Sequence, residues 1–357
     1  MIGGGPRLSV AAFMRYGRLG ASSRVRGYQF QAALAALGCD VEFFPLLDNH
    51  YLRRKYRSGK TSWVDVAKSY PRRMVELLSK RRRFDVLFVE KELFPYWPAA
   101  LELAFVEHGP PVVLDYDDAV WEPYARRPLL QDKIARLIGA AAAVTAGSRY
   151  LEAYARTRND RVFHVPSVID AARYTPRASY DGAGPVRIGW IGTPMTQFLL
   201  APAAEALAVV ARERSVRLVL VGAAPGTTVS GIETEVLPWR EEEETERVRS
   251  FDVGIMPLTD EPFHRGKCGY KLVQYMGAGV PSVASPVGAN EDVIVPGETG
   301  FLARTTDEWV EKLRALADSS DLREKMGRSG RRRVEDVLSV ERAATRLAEV
   351  FRSVARA

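Results

Sequence analysis

The chain has 357 residues, of which 46% are hydrophobic and 27% charged, and a formal net charge of +7. That length exceeds what one core usually fills, so two domains of ordinary size are expected. No apolar run is long enough to span a bilayer and no charged-then-apolar leader opens the chain, so a membrane-spanning or exported product is not expected; the expected location is the cytoplasm, with the inner face of the membrane as a further option.

Taken in chain order, the glycine triplet Gly3-Gly4-Gly5 precedes the first apolar run, so it is not a phosphate loop of the strand-turn-helix kind and reads as a leader. Strands are predicted over Leu8 to Met14, Val41 to Phe44, Asp85 to Val89, Val112 to Leu114, Ala142 to Thr145 and Val162 to Val165. Helical patterns lie between them at Arg24 to Leu37, Trp63 to Ser79 and Ser148 to Tyr154. Short β-branched runs alternating with longer helices are the signature of parallel sheets with crossover helices. Gly17 and Gly20 follow the first strand and precede Ser22-Ser23-Arg24. A turn of this kind, ending in a serine cap, would aim backbone N–H groups at an anion or polar ligand, which makes Gly20, Ser22 and Arg24 a candidate anion or acceptor loop, the alternative being a purely structural turn.

Turn-forming residues Ser179 to Pro185 mark a linker, after which a second alternation begins. Its strands are predicted at Val186 to Ile191, Arg217 to Val221, Asp252 to Met256 and Ser282 to Ala284. Helices follow at about Tyr270 to Met276, Thr306 to Ala317, Leu322 to Val337 and Val340 to Val354. The expected architecture is α/β, two tandem Rossmann-like doubly wound domains with an interdomain cleft: residues 1–178, a linker at 179–186, residues 187–337, and a C-terminal helix at 338–357 that could pack back on the first domain.

Residues 1–180 carry 28 Lys and Arg against 18 Asp and Glu, a net of +10, whereas the remainder carries 23 against 26, a net of −3. Much of the excess lies in Arg53 to Lys60 and Arg72 to Arg83. Basic segments of this kind are drawn to anionic lipid headgroups by roughly 1 kcal/mol per charge; the alternative is a solvated basic face. No recognition helix, zinc knuckle or aromatic RNA motif accompanies the charge, so nucleic acid is not an expected partner. Cys39 and Cys268 have no partner at metal-ligand spacing, and both read as small buried residues.

Chemistry concentrates after the strand Asp252 to Met256, in a loop holding His264, Arg265, Gly266, Lys267, Gly269 and Lys271. Loops at the carboxyl ends of parallel strands bind ligands, and cations near a helix N-terminus suit a diphosphate. Lys267 and Lys271 are therefore candidate phosphate contacts, with a solvated surface charge as the alternative for either. Asp115, Asp117 and Asp118 form a second cluster at a strand end. Crowded carboxylates resist full ionisation, which would raise one pKa and help proton handling; the alternatives are metal binding, or that Asp115 or Asp118 caps a turn or pairs with a nearby arginine. His108 and His164 read as structural, and His264 as a minor candidate.

The segment GKCGYKLVQYMGAGVPSVASPVG (Gly266 to Gly288), continuing through Asn290, Asp292 and Gly297 to Leu302, resembles the donor-binding segment of the retaining glycosyltransferases called group 1 or family 4. The resemblance extends to Ile188 to Thr193, to Leu237-Pro238-Trp239 with Glu241 to Glu244, and to Ser22 to Arg26, Glu92 to Pro95 and Leu114 to Asp118 in the first half. It implies a GT-B fold, with a nucleotide sugar held mainly by the second domain, an acceptor held mainly by the first, and chemistry in the cleft. It also implies donor contacts at Thr193, Trp239, Lys267, Lys271, Gln274, Gly288 and Asn290, and a catalytic or acceptor-site role for Asp117, with Lys271 stabilising the departing diphosphate.

The chain departs from the family's two glutamates seven residues apart, because the first position is Gly266 and the second Gln274. The amide of Gln274 can still meet a ribose hydroxyl. The usual arginine and lysine after the first donor-domain strand are also missing, with Thr193 and Gln197 near those places, a loss that Lys267 and Lys271 would offset.

The expected activity is sugar transfer from a nucleotide diphosphate sugar to a glycan or lipid-linked hydroxyl acceptor in bacterial surface polysaccharide or glycolipid assembly, with no cofactor and no metal. A nucleotide-sugar epimerase of the same fold and a non-catalytic, degenerate transferase remain as alternatives. A dehydrogenase is disfavoured because no strand is followed by a G-x-G-x-x-G turn with a downstream acidic residue.

Overall fold

The computed structural model describes residues 7–182 and 184–355; Gly3-Gly4-Gly5 lie outside them. The chain divides into two compact units, one formed by residues up to Ser167 together with Val340–Ala357, the other by Val168–Ser339. Residues 179–182 and 184–186, where turn-forming residues suggested a linker, belong to the second unit. Tyr180 is buried there and its hydroxyl donates to the Gly279 carbonyl at 2.7 Å.

In the first unit six parallel strands, β1 (Leu8–Tyr16), β2 (Cys39–Leu47), β3 (Val86–Glu90), β4 (Val112–Tyr116), β5 (Ala143–Ala146) and β6 (Val162–His164), lie in the order β2-β1-β3-β4-β5-β6. Every residue of β3, β4 and β5 is buried, as expected for a sheet covered on both faces by crossover helices. Strand ends reach further than the apolar runs: β1 continues to Tyr16 and β4 to Tyr116, which carries polar side chains to the carboxyl edge of the sheet.

The helix predicted over Arg24 to Leu37 is three pieces, Ala21–Arg26, a 3-10 turn Tyr28–Phe30 and Gln31–Ala36, broken at Gly27. Its N-cap is Gly20, with no side-chain cap hydrogen bond, so the expected serine cap is absent. The serines serve the sheet instead, as described below. Apolar side chains of the C-terminal helix Val340–Ala355 are buried in this unit, where Phe351 meets Phe88 edge-on at 5.5 Å between ring centroids.

The second unit repeats the plan with β7 (Val186–Ile191), β8 (Val216–Val221), β9 (Thr234–Leu237), β10 (Val253–Met256), β11 (Ser282–Ala284) and β12 (Gly300–Leu302), all parallel, in the order β12-β11-β10-β7-β8-β9. Strands β9 and β12 escaped the sequence reading because each is short and lies at an edge, where half-buried positions such as those of β9 carry little apolar pattern. The core between the sheet and its helices is built on Ile188, Trp190, Leu207, Leu218, Leu220, Ile255 and Trp309. The helix Thr306–Asp318 opens on a full capping box, Thr305 with Glu308.

One buried ion pair ties the helix after β1 to the middle of the first sheet. The Arg26 guanidinium donates to both Asp115 carboxylate oxygens, at 2.9 and 2.6 Å, with both side chains 1% exposed, and donates to the Val165 carbonyl at 2.8 Å. Thr145 adds a hydroxyl donor to Asp115 at 2.6 Å. Removing one partner of such a pair leaves an uncompensated buried charge, so Arg26→Met is expected to destabilise the first unit by about 3–5 kcal/mol. Urea unfolding of the variant against wild type measures this; a change below about 1 kcal/mol would mean the pair does not hold the helix to the sheet.

Candidate functional site

In open parallel sheets ligands bind beyond the carboxyl ends of strands, where the chain's direction of winding reverses. The strand orders place that reversal between β1 and β3 in the first unit and between β7 and β10 in the second.

At the first reversal β3 ends in Glu90 and the chain turns through Lys91, whose φ of +66° is a left-handed conformation for a residue with a side chain. Such a conformation costs on the order of 1–3 kcal/mol and persists where the surroundings over-determine it. The surroundings here are ionic. Lys91 Nζ lies 2.9 Å from Asp117 Oδ1 and 3.0 Å from Asp118 Oδ2. Burial works against the Lys91 charge, yet Asp117, Asp118 and Glu90 together hold its pKa well above the usual lysine value. Glu90 itself is fully buried, and burial pushes its carboxyl up, with Asp117 adding to the shift and Lys91 opposing it.

Ser22 of the helix Ala21–Arg26 is 2.6 Å from Glu90 Oε1 and 2.6 Å from Asp117 Oδ2. Ser23 donates to Glu90 Oε2, which also accepts the Arg15 amide at 2.8 Å. Of the predicted anion loop, then, Ser22 faces two carboxyl groups, Gly20 supplies the N-cap, and Arg24 is 5% exposed.

The aspartate triad separates. Asp115 is consumed by Arg26 and Thr145, whereas Asp117 and Asp118 share Lys91. Crowding in this cluster is thus relieved by an ammonium, and the carboxyl pushed upward is Glu90, which the sequence reading missed. The signal was available: Glu90-Lys91 is a charged pair ending the apolar run Val86-Leu87-Phe88-Val89. Among the described residues no group of three or more His, Cys, Asp or Glu is arranged to hold a metal ion.

At the second reversal the loop after β10 runs through a short helix, Pro262–Arg265, to the helix Tyr270–Gly277, whose N-cap Gly269 has φ +67°. Lys267 Nζ lies 4.5 Å from the Phe263 ring and Lys271 Nζ 5.5 Å from the ring of Trp190, the buried indole of β7. Stacking on aromatic faces keeps both ammonium groups at the sheet's carboxyl edge, partly exposed. Gly288 has φ +56° and a Cβ there would run into the Arg265 carbonyl, so this turn requires glycine. Thr193, exposed after β7, bonds only locally as far as its hydroxyl and amide contacts with Thr196 go. Asn290 is fully buried and donates to the Ser285 carbonyl at 2.9 Å, which makes it a brace for the turn after β11. His264 Nδ1 pairs with the Thr259 hydroxyl at 2.7 Å.

Gln274 is 2% exposed and its amide donates to the Tyr174 hydroxyl at 3.1 Å. That hydroxyl donates to Glu244 Oε1 at 3.2 Å, and Glu244 Oε2 accepts Trp239 Nε1 at 2.8 Å. The amide is therefore bound inside the unit, where the sequence reading had it meeting a ribose. Burial and the nearby Tyr270 and Glu244 push the Tyr174 hydroxyl well above the usual tyrosine value, so it keeps its proton. With that single proton spent on Glu244, Tyr174 can only accept from position 274, and a glutamine supplies the donor that an ionised glutamate lacks. This accounts for glutamine at the position where the family pattern has its second glutamate.

Residues 187–319, the span that holds these second-unit loops, match the family model described as Glycosyl transferases group 1. The chain is 35% identical over 80 residues to the capsular polysaccharide biosynthesis glycosyltransferase CapM of Staphylococcus aureus, covering 22% of this chain and 21% of that protein. It thus spans about a fifth of the length of this curated relative. Anabaena HepE, solved in complex with UDP and glucose, matches with a TM-score of 0.73 at 15% identity, over 97% of this chain and 100% of that one. A putative UDP-N-acetylglucosamine 2-epimerase from Listeria monocytogenes matches with a TM-score of 0.62 at 14% identity, over 97% and 96%. At these identities the likeness is one of fold, the GT-B type.

Gln274→Glu is expected to cost about 1–3 kcal/mol at neutral pH, because the new carboxylate faces an acceptor it cannot bond. The penalty should shrink as pH falls and the introduced carboxyl protonates. Denaturant unfolding at several pH values measures it; a variant as stable as wild type at neutral pH would contradict the hydrogen-bond directions given above.

Proposed function

We propose that this protein transfers a sugar from a nucleotide diphosphate donor to a hydroxyl acceptor, with retention at the anomeric carbon. The observation that carries the reading is the pair Lys267 and Lys271, held on aromatic rings at the winding reversal within the span that matches the group 1 glycosyl transferase model. Two ammonium groups there offset the charge that develops on a departing diphosphate, and stabilisation of that kind is commonly what lowers the barrier most. Trp239, fixed by Glu244, offers an indole face for the nucleotide base. Asp117 is the acceptor-side candidate in the first unit.

UDP sugars lead the donor panel because the HepE complex holds UDP and glucose. The name of the CapM relative supports a place in surface polysaccharide assembly, with a glycan or lipid-linked acceptor. Lys271→Ala is expected to fold normally and lose about 10²–10³ in turnover. Thermal shift with UDP, GDP, ADP and dTDP sugars, followed by transfer assays on wild type and variant, tests this; near-normal transfer by the variant rejects the role. Donor alone separates the epimerase alternative, since an epimerase isomerises it.

The reading includes contact with an anionic membrane through the helices Asn49–Ser58 and Trp63–Lys80. Trp63 is 77% and Tyr56 58% exposed, beside the exposed cations Arg53, Arg57 and Lys60. Arg81 is better excluded from that surface, because it stacks 4.9 Å from the Phe105 ring. Among the described residues no helix is long and apolar enough to cross a membrane. Flotation with phosphatidylglycerol vesicles should fall sharply when Arg53, Arg57 and Lys60 are changed to glutamine, at roughly 1 kcal/mol lost per neutralised charge; unchanged flotation rejects this surface.

A further inference from the structure

The contacts around Ser22 hold one proton too few for the charges that sequence alone would write. A serine hydroxyl donates once and accepts twice. Ser22 Oγ nevertheless lies 2.6 Å from a Glu90 oxygen and 2.6 Å from an Asp117 oxygen. At that separation an O–H···O bond needs its hydrogen on the line between the oxygens, and two carboxylate oxygens cannot both be served by one hydrogen. The neighbouring serine decides which carboxyl brings the second. Ser23 Oγ accepts the Tyr16 amide at 2.9 Å, so its own hydrogen goes to Glu90 Oε2, which also accepts the Arg15 amide. Glu90 Oε2 is thereby occupied as an acceptor, and Oε1 is the oxygen left to carry a hydrogen. Asp117 takes the opposite part, since Lys91 pairs with it at 2.9 Å and fixes the negative charge there.

We propose that Glu90 is protonated at neutral pH and serves as a positioning residue, donating to Ser22 so that the Ser22 hydroxyl in turn donates to Asp117. This chain holds the anionic carboxylate of Asp117 in one orientation at the carboxyl edge of the first sheet; its bearing on turnover rests on the glycosyl-transfer reading. The charged and titratable groups that face Glu90 are Lys91 on its own strand end, Asp117 from the loop after β4, and Tyr28 from the 3-10 turn after the helix Ala21–Arg26. Tyr28 is itself pushed up to about 12 by burial and by Glu90, so it is neutral throughout the range of interest. Full burial of Glu90 penalises its charged form, in the direction the hydrogen count requires.

A carboxyl whose pKa is raised loses its proton as pH climbs through that higher value. Above it, Ser22 faces two carboxylates, one contact breaks, and Asp117 loses the Ser22 bond that sets its orientation while keeping its pairing with Lys91. Turnover should therefore show an alkaline fall set by Glu90. The direct test is infrared spectroscopy of the full chain in neutral buffer, comparing wild type with Glu90→Gln. We expect a protonated-carboxyl C=O band in wild type that is missing from the variant and that bleaches with rising pH. A carboxamide can reproduce the donor and acceptor pattern, so Glu90→Gln should exceed Glu90→Ala in turnover by about tenfold and lack the alkaline fall, while Ser22→Ala, which is expected to fold, loses about a hundredfold. An infrared difference that shows Glu90 ionised at neutral pH overturns the proposal, as does an alkaline fall that persists in Glu90→Gln. Should wild type transfer no sugar to any acceptor, the glycosyl-transfer reading fails while the infrared result still decides where the proton sits.

Discussion

Parallel strands send all their carboxyl ends to one edge of a sheet, and every polar group that the chain places there must be compensated within reach of its neighbours. This constraint shapes both units. In the first, β3 and β4 end side by side, with Glu90 paired in register to Asp115. The acidic residues that follow crowd the same few ångströms, and burial raises the cost of each charge. Three different devices answer it: a guanidinium fork on Asp115, an ammonium shared by Asp117 and Asp118, and serine hydroxyls on Glu90.

These devices explain a backbone feature that would otherwise be a defect. Lys91 takes a left-handed φ because a lysine at that position, in that conformation, brings its ammonium between Asp117 and Asp118. Glycine would relieve the backbone and leave two carboxylates facing each other. The strain is thus offset by charge pairing, and it sits at the winding reversal, where a ligand-binding crevice is expected on topological grounds. In the second unit the reversal carries no such acidic crowd among the described residues. Cations on aromatic faces and tight glycine turns occupy it instead, a setting suited to a polyanion.

The network Trp239–Glu244–Tyr174–Gln274 shows how a family pattern can change without loss of order. Its hydrogen-bond directions propagate from one carboxylate, Glu244, through a tyrosine to an amide. Four residues from three separate stretches of chain are tied by the single proton of Tyr174. Seen along the sequence, Gln274 was a missing glutamate; seen in space, it is the donor that its acceptor demands.

The alternation of apolar runs was enough to reveal two parallel α/β sheets, because a strand buried on both faces must be almost wholly apolar, as Val86 to Val89 and Val216 to Val221 are. The glycine turns at Gly269, Gly279 and Gly288 were legible for a similar reason: a sharp turn or a close approach demands a residue type at one position, whatever surrounds it. Edge strands β9 and β12, the break at Gly27 and the partners of Glu90 and Gln274 were not legible, and for Asp115 a nearby arginine was an alternative that did not name Arg26. The strands lie at edges with little apolar pattern, and the site residues depend on partners far along the chain, as the separations of 68 between Ser22 and Glu90, 89 between Arg26 and Asp115 and 100 between Tyr174 and Gln274 make plain. Local chemistry determines which residues can end a strand, whereas only the packed sheet decides which of them share a proton.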